Sequence, residues 1–328
     1  MCTSFTYEDA DGKFYLSRTM DFDFELGGRP VVIPRGHHVD SDATEAGFDT
    51  PLGFVGAGRN IGQYLNVDGV NEAGFAAATL YLTESKYADK TVDGKANIAP
   101  HEVIPYLLGN MHSVSELRDK LADINIVAAP NKFMGGIVVP LHWVVADASG
   151  DCAVLESDAD GLQLYDDPVG VMTNSPEFPW HVKNLQNFAQ LQPALAAGTN
   201  FGGVTANGFG GGTGAVGLPG DYTSVSRFVR MAFLREHAEK VSGQAAAINT
   251  ISHLLGSLDI PHGIKVMADG KDDYTQYRGY MDMATPTYFM QPYDDQTITK
   301  VTLTEELLNA DEPTEFPLAH VQQFVEAN

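Results

Sequence analysis

The chain has 328 residues, of which 44% are hydrophobic and 19% charged, a composition that folds into a globular body rather than staying disordered. Its formal net charge of −23 works against nucleic acid or an anionic membrane as partner, because both attract a positive field. The start lacks the basic and apolar regions of a secretory leader, no apolar run is long enough to span a bilayer, and the cysteines, Cys2 and Cys152, are too far apart for a disulfide framework, so a cytoplasmic, reduced protein is expected.

In chain order, the first predicted element is a hairpin: CTSFTYED over residues 2–9, a turn at Ala10-Asp11-Gly12, and KFYLSRTMDF over 13–22. Asp-Gly between alternating apolar runs favours a tight turn. Strands follow at residues 30–34, 53–59 and 74–82. Pro100 suits the first turn of a helix running to Leu108, and Ser113 with Glu116 forms a capping-box pattern for a helix to about Asp123. Strands are expected again at 135–147, 152–157, 161–167 and 170–174. Apolar spacing near 3.6 predicts helices from Ser224 to about Val241 and from Gly243 to about Leu258. Further strands are expected at 274–283, 286–294 and 297–303. Strands, two helices, strands, two helices, strands is an α+β order with mostly antiparallel sheets, and a single domain over 1–328 is the economical arrangement.

Several motifs are absent or misleading. Gly212-Thr213-Gly214-Ala215-Val216-Gly217 spells a dinucleotide fingerprint, but Leu218-Pro219-Gly220 follows and Pro219 blocks the helix that the fingerprint must open. There is no phosphate-binding P-loop, no HExxH or CxxC pattern and no GxSxG elbow, and the ten histidines are scattered. Neither a bound dinucleotide nor a catalytic metal is expected.

The remaining chemical signal is the thiol directly behind Met1. Its plain role is to start a buried strand. If Met1 is removed, Cys2 instead supplies a nucleophile and, in its own α-amine, a base whose reference pKa of about 7.7–8.0 suits general-base work. An adjacent arginine favours the attacking thiolate, and Arg18 is available on the return strand. A two-residue turn places Asp21 opposite Cys2, whereas a three-residue turn places Met20 or Phe22 there with Asp21 still in reach. Arg18 need not share a face with Cys2 and then requires a bulge or a diagonal reach.

MCTSFT followed by SRTMDF resembles the start of the choloylglycine hydrolase family, the N-terminal-nucleophile hydrolases that include penicillin V acylases and bile salt hydrolases. NVDGVNEAGFAAATLYL, VPLHWVVAD, GVMTNSPEFPWHVKNLQNF, GLPGDYTSVSRFVRM and YTQYRGYMDM resemble further blocks of that family, in order along the whole chain. The resemblance implies a four-layer αββα sandwich of two antiparallel sheets, hydrolysis of a linear amide of a small molecule without cofactor, and a homotetramer. It implies Cys2 as nucleophile, Arg18 and Asp21 as the pair that tunes the thiol and orients the amine, and Asn174 as the oxyanion-hole side chain. Tyr81 would add a backbone donor, and Arg227 is the remaining family arginine near the nucleophile. The residues alone also permit plainer roles: a turn at Asn174 before Ser175-Pro176, a surface charge at Arg227, a strand-end charge at Asp21 and core packing at Tyr81.

Within the family, bile salt hydrolases usually carry Asn where this chain has Tyr81, and penicillin V acylases often carry Tyr. An aromatic wall suits a flat phenoxyacetyl group, so a penicillin V acylase-like activity is the expectation, with bile salts or N-acyl homoserine lactones as alternatives. Met20, Phe22, Phe133 and Ile137 are the expected acyl-pocket residues beside Tyr81, and all could equally be ordinary core. A papain-like peptidase needs a partner histidine that no motif supplies, and a non-catalytic binding protein would not be expected to keep Cys2, Asp21 and Asn174 together.

Overall fold

In a computed structural model describing residues 2–132 and 135–327, the N-terminal hairpin forms as expected, with β1 over Cys2–Glu8 and β2 over Phe14–Phe22. The hairpin lies in a six-stranded antiparallel sheet, in the order Val171–Met172, β1, β2, Tyr274–Asp282, Thr287–Pro292 and Thr299–Thr302. A nine-stranded sheet, also antiparallel, runs from Gly161–Asp166 through Cys152–Asp158, Leu141–Asp147, Phe75–Tyr81, Asp68–Asn71, Phe54–Asn60 and Arg29–Ile33 to Thr314–Glu315, with Tyr64–Asn66 paired to Phe54–Asn60.

Period-two alternation explains the layering. In the larger sheet, Val55, Ala57, Ala76, Ala78, Val144, Ala146 and Val154 share a buried cluster with the six-stranded sheet. Their neighbours Phe54, Phe75, Ala77, Trp143, Val145, Ala153 and Leu155 pack on the other face against the helices Val103–Asn110 and Val114–Lys120. The helices Ser224–His237 and Gln244–Gly256 cover the six-stranded sheet through Phe228, Met231, Ile248 and Ile251. The result is the αββα sandwich. Small residues set its thickness: an added Cβ at Gly56 would lie 1.9 Å from the Asp68 carbonyl oxygen, so the chains approach there only because no side chain intervenes.

The expected elements differ from these in three instructive places. The strand expected from 135 begins only at Leu141, because Pro140 cannot donate to a ladder. The Ser113 cap forms, its Oγ accepting from Glu116 N–H at 3.1 Å, but Glu116 reaches back to His112 N–H rather than to Ser113. The helix expected from Ser224 to Val241 ends at His237, where Ala238 turns extended.

Candidate active site

The turn between β1 and β2 decides which groups meet the thiol. Asp9 N–H donates to the Lys13 carbonyl at 2.9 Å, Gly12 sits at φ 73°, and Asp9 Oδ1 accepts from the N–H groups of Asp11 and Lys13. The loop is therefore three residues long, with glycine at the left-handed position. This register pairs Cys2 with Met20 and Ser4 with Arg18. Arg18 shares the face of Cys2, so the hairpin needs no bulge, and Asp21 lies on the opposite face.

On the face turned to the larger sheet, Met20 Sδ lies 3.8 Å from Cys2 Sγ and 3.4 Å from Arg18 Nη2. Arg18 is fully buried and donates from Nη1 to Asp68 Oδ2 at 3.1 Å, and Tyr277 OH donates to the same oxygen at 2.7 Å. Burial alone would push the Arg18 guanidinium down, but Cys2, Tyr277 and Asp68 around it leave it above its ordinary value. A permanent cation thus stands beside the thiol, anchored by a carboxylate from the other sheet.

On the face turned to the helices, Asp21 accepts from Thr19 Oγ1 at 3.1 Å and from Thr275 Oγ1 at 2.6 Å, and its Oδ2 is 3.8 Å from Arg227 Nη1. Arg227 enters from the first turn of the helix Ser224–His237, which Thr223 caps. Its Nη1 donates to the Cys2 carbonyl at 2.6 Å and to Thr3 Oγ1, and its Nη2 donates to Asn174 Oδ1 at 2.8 Å. Burial raises the Asp21 carboxyl against the pull of Arg227 and lowers the Arg227 guanidinium against the pull of Asp21.

Asn174 joins the parts. Its Oδ1 accepts from Cys2 N at 2.7 Å as well as from Arg227, while its Nδ2 donates to the Tyr81 carbonyl at 2.9 Å. Its backbone is held by Ser224 Oγ and by His181 Nε2, which donates to the Asn174 carbonyl at 2.7 Å. Two donors on one side and a carbonyl on the other fix the orientation of the amide.

Tyr81 closes the strand Phe75–Tyr81. Leu82 N–H donates toward the strand Leu141–Asp147, and Thr79 N–H donates the other way, to the Val67 carbonyl at 2.8 Å. Alternation turns Tyr81 N–H to Thr79's side, where its own carbonyl meets Asn174. The Asn174 amide thus links Cys2 N to the end of the strand that carries Tyr81, and donors so arranged could serve a developing oxyanion.

A cavity runs from Cys2 along Met20, Phe22, Leu26, Val67, Tyr81 and Leu141. Phe22 and Tyr81 also line a second lobe with Asn174, Ser175 and Asp273. Met20, Phe22 and Tyr81 thus line this cavity with Cys2. Ile137 does not: it is 51% exposed in the loop before Pro140, away from the cavity, and Val139 and Leu141 take its place. Phe133 lies outside the described residues. Sequence reasoning missed Asp68, Thr275, Ser224 and His181. Of these only Ser224, in an alternating Thr-Ser run before a helix, carries a local signal, that of a helix start.

Among the described residues, Asp42, His101 and Glu102 could offer three ligand atoms to a cation. Their oxygens are already engaged: Asp42 Oδ2 with His101 Nε2 at 3.0 Å, and Glu102 with Ala99 N–H, Ser41 Oγ and Asp42 N–H. The cluster reads as a structural cap on the turn Pro100–Glu102 rather than a metal centre.

A profile for linear amide C–N hydrolases of the choloylglycine hydrolase family matches residues 2–316. The bile salt hydrolase/transferase of Lactiplantibacillus plantarum is 33% identical over 100% of both chains. The solved structure of a variant of the conjugated bile acid hydrolase from Clostridium perfringens superposes with a TM-score of 0.91 over 100% of both chains at 28% identity. Penicillin V acylase from Agrobacterium tumefaciens superposes with a TM-score of 0.75, over 94% of this chain and 88% of its own, at 25% identity.

Proposed function

The chain belongs to the choloylglycine hydrolase family of linear amide C–N hydrolases, and we propose that within it the enzyme cleaves the amide of conjugated bile acids, Cys2 acting as N-terminal nucleophile once Met1 is removed. The observation that carries the substrate is the whole-chain likeness to bile salt hydrolases, against a lower likeness to a penicillin V acylase. The cavity agrees, since the aliphatic walls of Leu26, Val67 and Leu141 suit a rigid apolar acyl group as well as a flat ring. The sequence favoured phenoxyacetyl amides through Tyr81. Tyr81 does line the cavity, which keeps that activity as a second reading, but a single side chain is outweighed by the rest of the chain.

The mechanism uses the groups already placed. The Cys2 thiol gives its proton to its own α-amine, forming the ammonium, and the sulfur, beside the Arg18 cation, attacks the amide carbonyl. The carbonyl oxygen gains the negative charge and accepts from Asn174 Nδ2 and Tyr81 N–H. The C–N bond then breaks as the leaving nitrogen takes a proton from the Cys2 ammonium, leaving a thioester on sulfur. Water gives a proton to the same amine and attacks the thioester, releasing the acid and restoring the thiol. Asn174 Oδ1, on Cys2 N, keeps that nitrogen in place through both halves.

Amine release from glycine and taurine bile conjugates and from penicillin V, measured side by side on reduced enzyme whose intact mass lacks Met1, tests the reading. Faster cleavage of bile conjugates is expected, and faster cleavage of penicillin V overturns the substrate. As part of the same reading the enzyme is a cytoplasmic homotetramer. The outward side chains of Phe201, Val204 and Phe209, in and after the projecting hairpin Thr199–Ala206, support assembly, and light scattering checks it.

A further inference from the structure

Two lobes adjoin at the reactive centre, because Phe22 and Tyr81 line both. Their walls differ in charge. Among the described residues, the lobe of Cys2 is walled by no carboxylate, lysine or arginine, whereas the second lobe, which reaches Asn174, is walled by two carboxylates, Asp23 and Asp273, and by no cation. Asp23 directly follows Phe22 at the end of β2. Asp273 ends a segment, 265–273, that folds back on itself: Val266 bridges Asp272, and Met267 N–H donates to the Lys271 carbonyl at 2.7 Å. This segment also brings Met267 to the lobe wall and supplies two lysines. Lys265 Nζ lies 2.6 Å from Asp273 Oδ2 and Lys271 Nζ 3.6 Å from Asp23 Oδ2, yet neither lysine lines the lobe. The two pairs are unequal. The Asp273 side chain is 3% exposed and closely held by its lysine, so that charge is covered and matched. The Asp23 side chain is 24% exposed, and its exposed partner Lys271 is shared with Asp269 at 3.1 Å. Asp23 is therefore the charge that an occupant of the lobe meets, and its pairing is loose and screened by solvent.

We propose that the second lobe takes the leaving amine and that Asp23 sets the choice there, favouring amine parts without an acid group over those that carry one. The proposal rests on the reading that the lobe of Cys2 takes the acyl group. At an amide carbonyl held beside the thiol, the acyl carbon and the nitrogen point away from each other, so filling one lobe sends the other part into the next. A carboxylate or sulfonate on the amine part then comes close to Asp23, and like charges repel. A neutral part of the same size meets no such cost, and an ammonium gains. Lys271 softens the effect without reversing it, because it stands outside the lining.

The test joins one bile acid to glycine, to glycinamide and to ethylenediamine, parts of similar size that end in an anion, a neutral amide and a cation at about pH 7. In kcat/KM the glycinamide conjugate is expected to exceed the glycine conjugate by about tenfold at low salt, and the gap should shrink as salt is added. The ethylenediamine conjugate should be cleaved at least as fast as the glycinamide one. Asp23→Asn removes the charge and keeps the shape. It should raise the glycine conjugate toward the glycinamide conjugate and leave the latter unchanged. Lys271→Ala, at an exposed site and so the gentler variant for folding, removes the nearby cation and should widen the gap. The same three amine parts on phenoxyacetic acid separate this idea from the bile acid reading. If only the phenoxyacetyl series is cleaved and it keeps the order, the bile acid reading fails and the role of Asp23 stands. The proposal is wrong if the wild type cleaves the glycine conjugate as fast as the glycinamide one. It is equally wrong if Asp23→Asn and Lys271→Ala leave their ratio unchanged, or if Asp23→Asn lowers all three conjugates together.

Discussion

Replacing Asn174 by Asp separates the two jobs of this side chain. The acceptor, Oδ1, holds Cys2 N at 2.7 Å and Arg227 Nη2 at 2.8 Å, and Asp keeps that oxygen in the same place. The donor, Nδ2, becomes an oxygen that faces the Tyr81 carbonyl, which it met at 2.9 Å, and the hole loses its side-chain N–H. Loss of one such donor is worth about 10²–10³ in kcat, or about 2.7–4 kcal/mol of transition-state stabilisation. KM should change little, because the substrate carbonyl carries little charge before attack. Asn174→Ala removes the acceptor too. It strands a buried arginine donor and should lose a further 1–3 kcal/mol or so of folding stability. Steady-state kinetics on both variants, with urea unfolding as control, check the argument. A kcat for Asn174→Asp within tenfold of wild type, in a folded protein without Met1, would sink the oxyanion assignment.

Three further outcomes follow from the same geometry. A preparation that retains Met1, recognised by intact mass, should be inactive, since the nitrogen on Asn174 Oδ1 is then an amide and is not basic enough to accept and return a proton. Asp68→Ala breaks a pair in which neither side chain is exposed and leaves Arg18 without its carboxylate, so urea unfolding should show a loss of about 3–5 kcal/mol, and a loss below about 1 kcal/mol would mean that the thiol side does not need the anchor. Burial raises the Asp167 carboxyl from 3.8 to about 7, against the opposing N–H bond from Gly170 and the charge of Arg235. Its folded pKa exceeds the unfolded one, so its contribution to stability is full below about pH 4 and is lost as pH rises toward 7, by up to about 4 kcal/mol. Asp167→Asn should flatten that slope, and an unchanged stability-against-pH curve would contradict it.

The sequence made the hairpin legible because Asp-Gly and the flanking alternation are local. Its register was not legible, because a loop of two or three residues fits the same letters, and that single residue decides whether Arg18 faces the thiol. The candidate catalytic set follows from family blocks, yet the carboxylate that anchors Arg18 does not: Asp68 opens a strand of four residues, DGVN, with no apolar period to announce it. Ile137 was expected in the pocket from the place of its loop in relatives, whereas Val139 and Leu141 line the cavity here. Separately, the run from 135 reads as one long strand, and the proline at 140 delays the ladder to Leu141. The choice between acyl groups rested on Tyr81 alone, whereas the cavity is lined from five strands, three loops and the turn Pro100–Glu102.

The Asn174 amide ties together Cys2, Tyr81 and Arg227, partners 172, 93 and 53 residues away. Contacts of such long range close late, after local hairpins and helices have formed. The thiol leaves the ribosome almost first, but the Asn174 amide gains its Arg227 donor only when the helix Ser224–His237 has docked. A nascent or truncated chain therefore carries a bare thiol and no amidase. On refolding, activity should return after the circular dichroism of the sheets, so that catalytic competence reports completion of the fold.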